Sequence, residues 1–210
     1  MNREELNRIA QEAVREEELL SGEIPNIDLY VDQILNLVSE KNSQGAARYQ
    51  GRQLTKTMIN NYSKDGLITP VKGKKYNKEQ IIQMLSIYSL KNTLSIGEIK
   101  RLLDGEYAIE GYNGADLAQT YDRYIDLKRQ NQEYSCEILS SLMDKNELDI
   151  ENDRDFLVIV GALLSLGNSL KNIAQELIDV KYPQTVEEPE KEKPKKEKKK
   201  KKSDSEDSEE

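Results

Sequence analysis

The chain has 210 residues and a formal net charge of −8, with 36% hydrophobic and 33% charged residues. Globular domains average about 45–50% apolar and about 25% charged residues, so part of this chain is expected to lie outside any core. The sequence has no histidine and one cysteine, Cys136. A Ser-His-Asp triad, a Cys-His pair, an imidazole metal ligand, a structural zinc site and an internal disulfide are therefore excluded.

Other features of the sequence limit the class of protein that we expect. No nucleophile–base pair and no phosphate-binding glycine loop is present, so we expect no enzyme, no cofactor and no metal site. The acidic amino terminus does not resemble a signal peptide, and we expect a cytoplasmic protein. The longest apolar run, residues 156–166, is shorter than the roughly 20 residues of a membrane span. We predict that this run is a buried helix and that no membrane is involved.

Two helices are predicted at the start of the chain. Apolar residues at roughly helical spacing predict a helix over residues 3–20, which Ser21 and Gly22 end. A second helix is predicted over about residues 27–40. Residues 41–53 are rich in polar residues and glycine and are predicted to be an insertion loop.

Residues 55–68 predict a short helix with two different faces. Thr55 is a good N-cap for a helix of about ten residues, and Gly66 supplies the left-handed residue that ends it. Its apolar positions are Met58, Ile59 and Tyr62. The outward positions are all hydrogen-bond donors, namely Lys56, Thr57, Asn60, Asn61 and Lys64. Such a face suits the major groove of DNA better than solvent alone would require.

A lysine-tipped hairpin and two further helices are predicted next. Gly73 is expected to make a turn between two very short strands within residues 70–76. Asn77 is expected to cap a strongly apolar helix over residues 78–90, and Ser95 one over residues 96–104. The order of helix, short helix, hairpin, helix and helix is that of a winged helix-turn-helix that binds DNA.

The C-terminal half predicts two long helices. One begins at Asn113 or Asp116 and reaches about Met143, and the other runs from Asp153 to Ile178. The second is apolar on nearly all sides over its first part, and such a helix must be covered. We predict burial against the rest of the chain, against a second chain, or both, and we expect a homodimer. Two-fold symmetry would present two reading helices to one face of a duplex.

The last residues differ from the rest of the chain. Residues 184–210 contain almost no apolar residue and consist of a lysine-rich block followed by an acidic one. Such a segment buries too little apolar surface to offset its chain entropy, so we predict a disordered charged tail. The lysine block either adds non-specific affinity for nucleic acid or, with the acidic block, only keeps the chain soluble.

One part of this acidic chain is strongly basic. Residues 48–80 carry eight basic and two acidic side chains, a net charge of +6. A localised basic patch is the electrostatic footprint of a nucleic-acid-binding face. The alternative interpretation is a solvated, lysine-rich loop.

Three segments resemble motifs of the mercury-resistance-regulator (MerR-like) superfamily, in the same order. Residues 55–70, which read Thr-Lys-Thr-Met-Ile-Asn-Asn-Tyr-Ser-Lys-Asp-Gly-Leu-Ile-Thr-Pro, resemble its recognition-helix signature. Residues 73–76 resemble its wing motif but are one residue shorter, and residues 94–104 resemble its Phe-Ser-Leu-x-Glu-Ile helix. The resemblance implies a mainly helical, all-α fold with a small two-stranded wing.

A second resemblance, to a single family, indicates the same class of protein. Residues 24–33 and 54–62 are similar to the bacterial family called domain of unknown function 1836, and the likeness covers about residues 24–135. Members of that family are usually described as transcriptional regulators. The resemblance therefore implies a regulator that binds double-stranded DNA, and it implies no effector.

The chain departs from the superfamily pattern within the recognition helix. The usual arginine is replaced by Asn60 and the first tyrosine by Asn61. Phosphate contacts are therefore expected from Lys56 and Lys64 with the wing lysines, while the two asparagines either read adenine edges or are surface amides. Tyr62 is expected to pack in the core. The candidate DNA contacts are Thr55, Lys56, Thr57, Asn60, Asn61, Lys64, Lys72, Lys74, Lys75 and Tyr76.

Four segments are predicted in all. They are an N-terminal helix (1–23), a MerR-like winged-helix domain (24–106), a helical dimerisation or effector region (107–183) and the disordered tail (184–210). The function expected first is a transcriptional regulator that reads a palindromic operator as a dimer. The alternative is a helical protein-interaction adaptor that reuses the winged-helix fold.

Overall fold

The computed structural model describes residues 1–47, 53–71 and 73–184. Over these ranges the chain is mainly helical with a small two-stranded sheet, which confirms the predicted fold class at that level. Lys72 and most of the predicted tail, residues 185–210, lie outside the described residues, and so do residues 48–52 of the predicted loop.

The helices and strands follow one another in simple order. They are α1 (Arg3–Val14), a 3-10 turn (Ser21–Glu23), β1 (Leu29–Tyr30), α2 (Val31–Asn42), α3 (Lys56–Lys64), β2 (Lys75–Tyr76), α4 (Lys78–Leu90), α5 (Ile96–Tyr107), α6 (Gly114–Lys145) and α7 (Asp153–Lys181). The predicted caps of α3, α4 and α5 are confirmed. Thr55, Asn77 and Ser95 each accept a hydrogen bond from the backbone N–H three residues later.

The first helix is shorter than the predicted span of residues 3–20. α1 ends at Val14, and the following segment lies against α6 instead of continuing the helix. The Tyr121 hydroxyl donates to the Leu19 carbonyl at 2.8 Å, and the side chain of Gln132 donates to the Glu16 carbonyl at 3.0 Å. Tertiary hydrogen bonds therefore replace the helical ones that the periodicity predicted.

The strand after the Gly73 turn pairs with a distant segment. β2 is antiparallel to β1, with Leu29 opposite Tyr76 and Tyr30 opposite Lys75. The predicted hairpin within residues 70–76 is therefore wrong, and so is the predicted start of the second helix at residue 27, although Gly73 has the positive φ of a turn, 86°. Leu29 and Tyr76 are both buried, so this pairing puts two apolar side chains on the core side of the ribbon.

The main core lies between α2, α3, α4, α5 and the first half of α6. Its fully buried members include Ile34, Ile59, Ile81, Ile87 and Ile99. Leu117, Tyr121 and Ile125 of α6 belong to the same core, so the predicted domain boundary after residue 106 falls inside it. A second cluster, separate from the main core, joins α1, the far end of α6 and the start of α7 through Leu6, Leu139, Met143, Ile150 and Ile159.

The last helix is mostly exposed in the single chain. Of the predicted covers for this helix, burial against the rest of the chain is therefore wrong, and burial against a second chain stays a prediction. Within α7 only Ile159 and Ile178 are buried. Its exposed apolar residues are Phe156, Leu157, Val158, Val160, Leu164, Leu166, Leu170, Ile173, Leu177 and Val180. An apolar run shows that a helix needs cover, but it does not show which chain supplies that cover.

α7 also has the length and composition of a helix that could cross a membrane. Its mean hydropathy is 1.5 over an 18-residue window, and 6% of that window is buried in the protein. The sequence-based expectation that no membrane is involved stays a prediction.

Candidate nucleic-acid interface

α3 is attached to the protein by its apolar face. Ile59 is fully buried and Tyr62 is 4% exposed, both in the main core, which confirms the core role predicted for Tyr62. Burial raises the pKa of the Tyr62 hydroxyl to about 12. At the start of the helix, the Thr55 hydroxyl accepts a hydrogen bond from the Met58 N–H at 3.2 Å. The helix therefore has one fixed orientation on the core.

The end of α3 is closed by a left-handed glycine, as predicted. Gly66 has a φ of 66°. Its N–H donates to the Ser63 carbonyl at 3.3 Å, and the Leu67 N–H donates to the Tyr62 carbonyl at 2.9 Å. These two bonds form a Schellman motif, in which Leu67 turns back into the core. A residue with a Cβ at position 66 would be strained in this backbone conformation.

The opposite face of α3 is polar and exposed. Lys56, Thr57, Asn60, Asn61 and Lys64 are all exposed, and so is the capping residue Thr55. At 3.6 residues per turn these five helical positions lie within about 140° of one another around the axis. Over the described ranges neither Lys56 nor Lys64 takes part in an ion pair. The face therefore offers hydrogen-bond donors with two uncompensated positive charges.

Two buried glutamines hold the segment between α3 and the turn at Gly73. Gln83 is 3% exposed, and its carbonyl accepts from the Thr69 N–H at 3.0 Å and from the Thr69 hydroxyl at 3.3 Å. Gln80 is 5% exposed and donates to the Thr69 and Pro70 carbonyls at 3.1 and 3.2 Å. Sequence analysis missed both residues. Two glutamines within a strongly apolar helix indicate that their amides form hydrogen bonds inside the core, because buried polar groups are nearly always hydrogen-bonded.

Residues 73–76, here called the wing, place two lysines outside and one tyrosine inside. Lys74 and Lys75 are exposed, and the Lys75 ammonium lies 5.0 Å from the centroid of the Tyr30 ring, a cation–π contact. Tyr76 is 7% exposed and belongs to the main core. The burial of Tyr76 indicates a packing role, and its predicted contact with DNA stays a prediction. Lys72 lies outside the described residues.

Two further lysines come close to α3 from other parts of the chain. The Lys91 ammonium lies 3.2 Å from the Met58 sulfur and 4.6 Å from the centroid of the Tyr88 ring. The Lys100 ammonium donates to the Gly66 carbonyl at 3.2 Å. Sequence analysis did not include either residue, because only the fold brings α4 and α5 against the two ends of α3.

The arrangement has the chemistry that binding to duplex DNA requires. Lysines near both ends of α3 and on the wing suit phosphates, and the amides in the middle of the helix can donate and accept at base edges. Binding to DNA through this surface predicts that Lys56, Lys64, Lys74 and Lys75 lie on a single face of the protein.

One comparison with known proteins gives a result. A family model described as Domain of unknown function (DUF1836) matches residues 19–124. The match runs from the segment that precedes the 3-10 turn to about one third of the way along α6. No curated protein and no solved structure matches the chain. Because the family model covers half of the chain, including all of α3, both glutamines and the wing, the chain belongs to the DUF1836 family.

Proposed function

We propose that this protein is a cytoplasmic transcriptional regulator, not an enzyme, that reads a palindromic operator as a dimer through a MerR-like winged helix-turn-helix. In this proposal α3 enters the major groove of double-stranded DNA, and the wing contacts the backbone. The observation that carries the proposal is the exposed face of α3. It combines two amides with two lysines that form no ion pair within the described residues, on a helix whose other face is fixed in the core.

Each polar residue of the interface has a specific role in this proposal. The side-chain amides of Asn60 and Asn61 pair with the N6 and N7 atoms of adenine. Lys56 and Lys64 contact phosphates on either side of the groove. The hydroxyls of Thr55 and Thr57 donate hydrogen bonds to the DNA backbone. The wing lysines Lys74 and Lys75, together with Lys72, contact the flanking phosphates.

The test is a salt titration of binding to the DNA upstream of the protein's own gene, beside a scrambled duplex of equal length. We expect a preference for the upstream DNA that survives near-physiological salt. The logarithm of the binding constant should fall by about 0.9 per phosphate contact for each tenfold increase in salt. Equal affinity for both duplexes, or no binding, would contradict the proposal.

Two substitutions separate phosphate contacts from base reading. We expect Lys64→Ala to weaken binding to every duplex and to lower the salt slope by about one contact. We expect Asn61→Ala to relax specificity at one base pair, a loss of about 1–3 kcal/mol of discrimination. Lys171→Ala and Asn172→Ala, exposed residues of the same types on α7, are the matched controls. An equal loss on all sequences for Asn61→Ala would exclude base reading.

A helical protein-interaction adaptor is the second candidate function. The observation that favours it is the large apolar surface on α7, which the described part of the chain leaves exposed. An adaptor would show no DNA preference in the salt titration and would form a stable complex with a different protein. The two candidates are therefore distinguished by the same first experiment.

A further inference from the structure

A cleft of about 320 Å³ lies between the end of α4, the middle of α6 and α7. Small-molecule sites in proteins occupy about 300–1,000 Å³ and combine apolar walls with a few polar groups. At about 30 Å³ per water molecule, the cleft has room for roughly ten waters, or for one amino acid the size of leucine. None of the residues that line it is a candidate DNA contact.

An ion pair lines the cleft with both of its charges. The Lys128 ammonium lies 2.8 Å from a carboxylate oxygen of Glu16, and both residues line the cleft. Lys128 also pairs with Glu18 at 2.7 Å and donates to the Ser89 hydroxyl at 3.2 Å. The side chains of Lys128 and Glu16 are 20% and 25% exposed. The wall therefore presents a positive and a negative group side by side, both partly shielded from water.

The positive group of this pair stays charged at neutral pH. Burial lowers the pKa of the Lys128 ammonium, but the Glu18 and Glu16 carboxylates outweigh burial and raise that pKa above its ordinary value. Charges that are partly withdrawn from water attract a ligand of opposite charge more strongly than exposed charges do, because less solvent screens them.

Two hydroxyl groups lie beside the ion pair. The hydroxyls of Ser89 and Tyr124 are 2.9 Å apart, and both residues line the cleft. Burial raises the pKa of the Tyr124 hydroxyl, so this group stays neutral and can donate a hydrogen bond. The contact of Lys128 with Ser89 is longer than its two ion-pair distances. A ligand carboxylate would replace that contact with a stronger, charge-assisted hydrogen bond.

The cleft also has an apolar part. Leu90 and Leu94 line it, together with Ala174 of α7 and Tyr88 of α4. Leu94 is 8% exposed and belongs to the main core. An aliphatic group placed against these residues would leave water, which is favourable.

We infer that this cleft binds a free α-amino acid with an aliphatic side chain. The ammonium of the amino acid pairs with Glu16, and its carboxylate pairs with Lys128 and accepts from the Tyr124 hydroxyl. Its side chain lies against Leu90 and Leu94. Each charge of the ligand then faces the opposite charge of the wall, and the paired charges form charge-assisted hydrogen bonds.

Molecules with a single charge fit the cleft less well. An amine would meet Glu16 but would bring a second positive charge beside Lys128. A carboxylate would meet Lys128 but would bring a second negative charge beside Glu16. Because like charges repel in a partly buried site, both ligands lose part of the attraction. Glu16, Lys128 and Ala174 lie outside residues 19–124, so the family match does not supply this inference.

The inference goes beyond the proposed function and does not rest on it, because its test contains no DNA. A chain that binds the amino acid and not DNA would contradict the proposed function alone. A chain that binds DNA and not the amino acid would contradict the present inference alone.

The first measurement is calorimetric titration of the full chain at neutral pH with three probes that share one branched carbon body. They are leucine, 3-methylbutylamine, which lacks the carboxylate, and 4-methylpentanoate, which lacks the ammonium. We expect leucine to bind at least about tenfold more tightly than either analogue, because each analogue loses one charge-assisted hydrogen bond. Absence of leucine binding, or an analogue that binds as tightly as leucine, would overturn the inference.

Two substitutions test the charged groups of the cleft. We expect Glu16→Gln and Lys128→Gln each to weaken leucine binding by about tenfold or more, because each leaves one charge of the ligand without its partner. Glu133→Gln and Lys145→Gln, exposed residues of the same types on α6, are the matched controls and should bind leucine like the wild type. Wild-type affinity in both cleft variants would overturn the inference.

A third substitution tests the cleft without changing its charge. Ala174 is an exposed residue of α7 that lines the cleft, so Ala174→Phe should fill the cleft and leave the fold intact by circular dichroism. We expect this variant to lose leucine binding. The matched control is Asn168→Phe, an exposed position of the same helix that does not line the cleft. Leucine binding that survives in Ala174→Phe would place the ligand elsewhere and overturn the inference, even if the charge variants fail to fold.

Discussion

The two halves of α6 lie in regions of very different packing. The first half contributes Leu117, Tyr121 and Ile125 to the main core, which also holds α3 and the wing. The second half shares a cluster of five buried residues with α1 and the start of α7. The first region buries most of its apolar residues, whereas α7 leaves ten of its apolar residues exposed. The chain itself therefore buries the apolar residues of the first region but leaves most of those of α7 exposed.

The largest expected effect is a loss in the free energy of unfolding. Whether that loss depends on protein concentration distinguishes the two regions. Ile81 is fully buried and Ile173 is 57% exposed. We expect Ile81→Ala to lower the free energy of unfolding by about 2–5 kcal/mol, because it leaves a cavity in a closed core. If the chain forms the proposed dimer through α7, the loss from Ile173→Ala should depend on protein concentration, because the substitution would weaken association. Urea unfolding at two protein concentrations measures both.

Ile109→Ala is the control for this comparison. Ile109 is 56% exposed and lies between α5 and α6. Its substitution should change the free energy of unfolding by no more than about 0.5 kcal/mol at either concentration. If Ile173→Ala changes the free energy of unfolding as little as this control does, at both protein concentrations, then Ile173 does not lie in an interface.

A smaller effect tests how the main core positions the candidate interface. Gln83→Ala would leave the Thr69 N–H without its buried acceptor, and we expect a loss of about 1–3 kcal/mol of stability. The variant should also bind DNA more weakly, since the segment between α3 and the wing loses a fixed contact. Gln119→Ala, an exposed glutamine of α6, is the matched control. Stability and DNA binding equal to that control would show that the glutamines do not position the segment.

The smallest effect concerns one of the contacts between α5 and α7. Glu98 accepts from the Ser95 N–H at 2.7 Å and from Gln175 of α7, and the Ser95 hydrogen bonds hold the pKa of its carboxyl below the ordinary value. A carboxyl with a lowered folded-state pKa stabilises the fold fully above its ordinary pKa of about 4.3. That stability disappears as the pH falls through the lowered value.

We therefore expect the thermal midpoint to fall between about pH 5 and about pH 3, and to fall less in Glu98→Gln. The remaining slope belongs to other lowered carboxyls, such as Glu23 beside Lys41. Identical slopes for the wild type and Glu98→Gln would show that Glu98 does not contribute to the acid sensitivity.

Features that depend on neighbouring residues in the sequence could be predicted. The caps Thr55, Asn77 and Ser95 act through bonds that span three residues, and Gly66 acts through a backbone conformation that side chains disfavour. The polar face of α3 follows from helical spacing alone. These local rules correctly predicted the helix α3 and the exposure of its five polar side chains.

Features that depend on distant residues could not be predicted from the sequence. The pairing of Leu29 with Tyr76 joins segments on either side of α2 and α3, and it replaced the local hairpin. The end of α1 at Val14 follows from hydrogen bonds to α6. Lys91 reaches Met58 only because α4 packs beside α3. In each case the deciding contact comes from a residue far along the chain, which periodicity does not report.

The length of α6 has a consequence of its own. Its 32 residues form one unbroken helix between the main core and the second cluster. Each residue added between Ile125 and Leu139 would advance the far end by about 1.5 Å and rotate it by about 100°. A single inserted residue would turn Leu139 and Met143 away from their neighbours. Insertion of about seven residues would return both side chains to nearly the same direction around the helix axis, two turns further along. α6 therefore fixes both the distance and the rotation between the main core and the second cluster. The number of residues that can be inserted into it is limited by that rotation more than by the identity of the inserted residues.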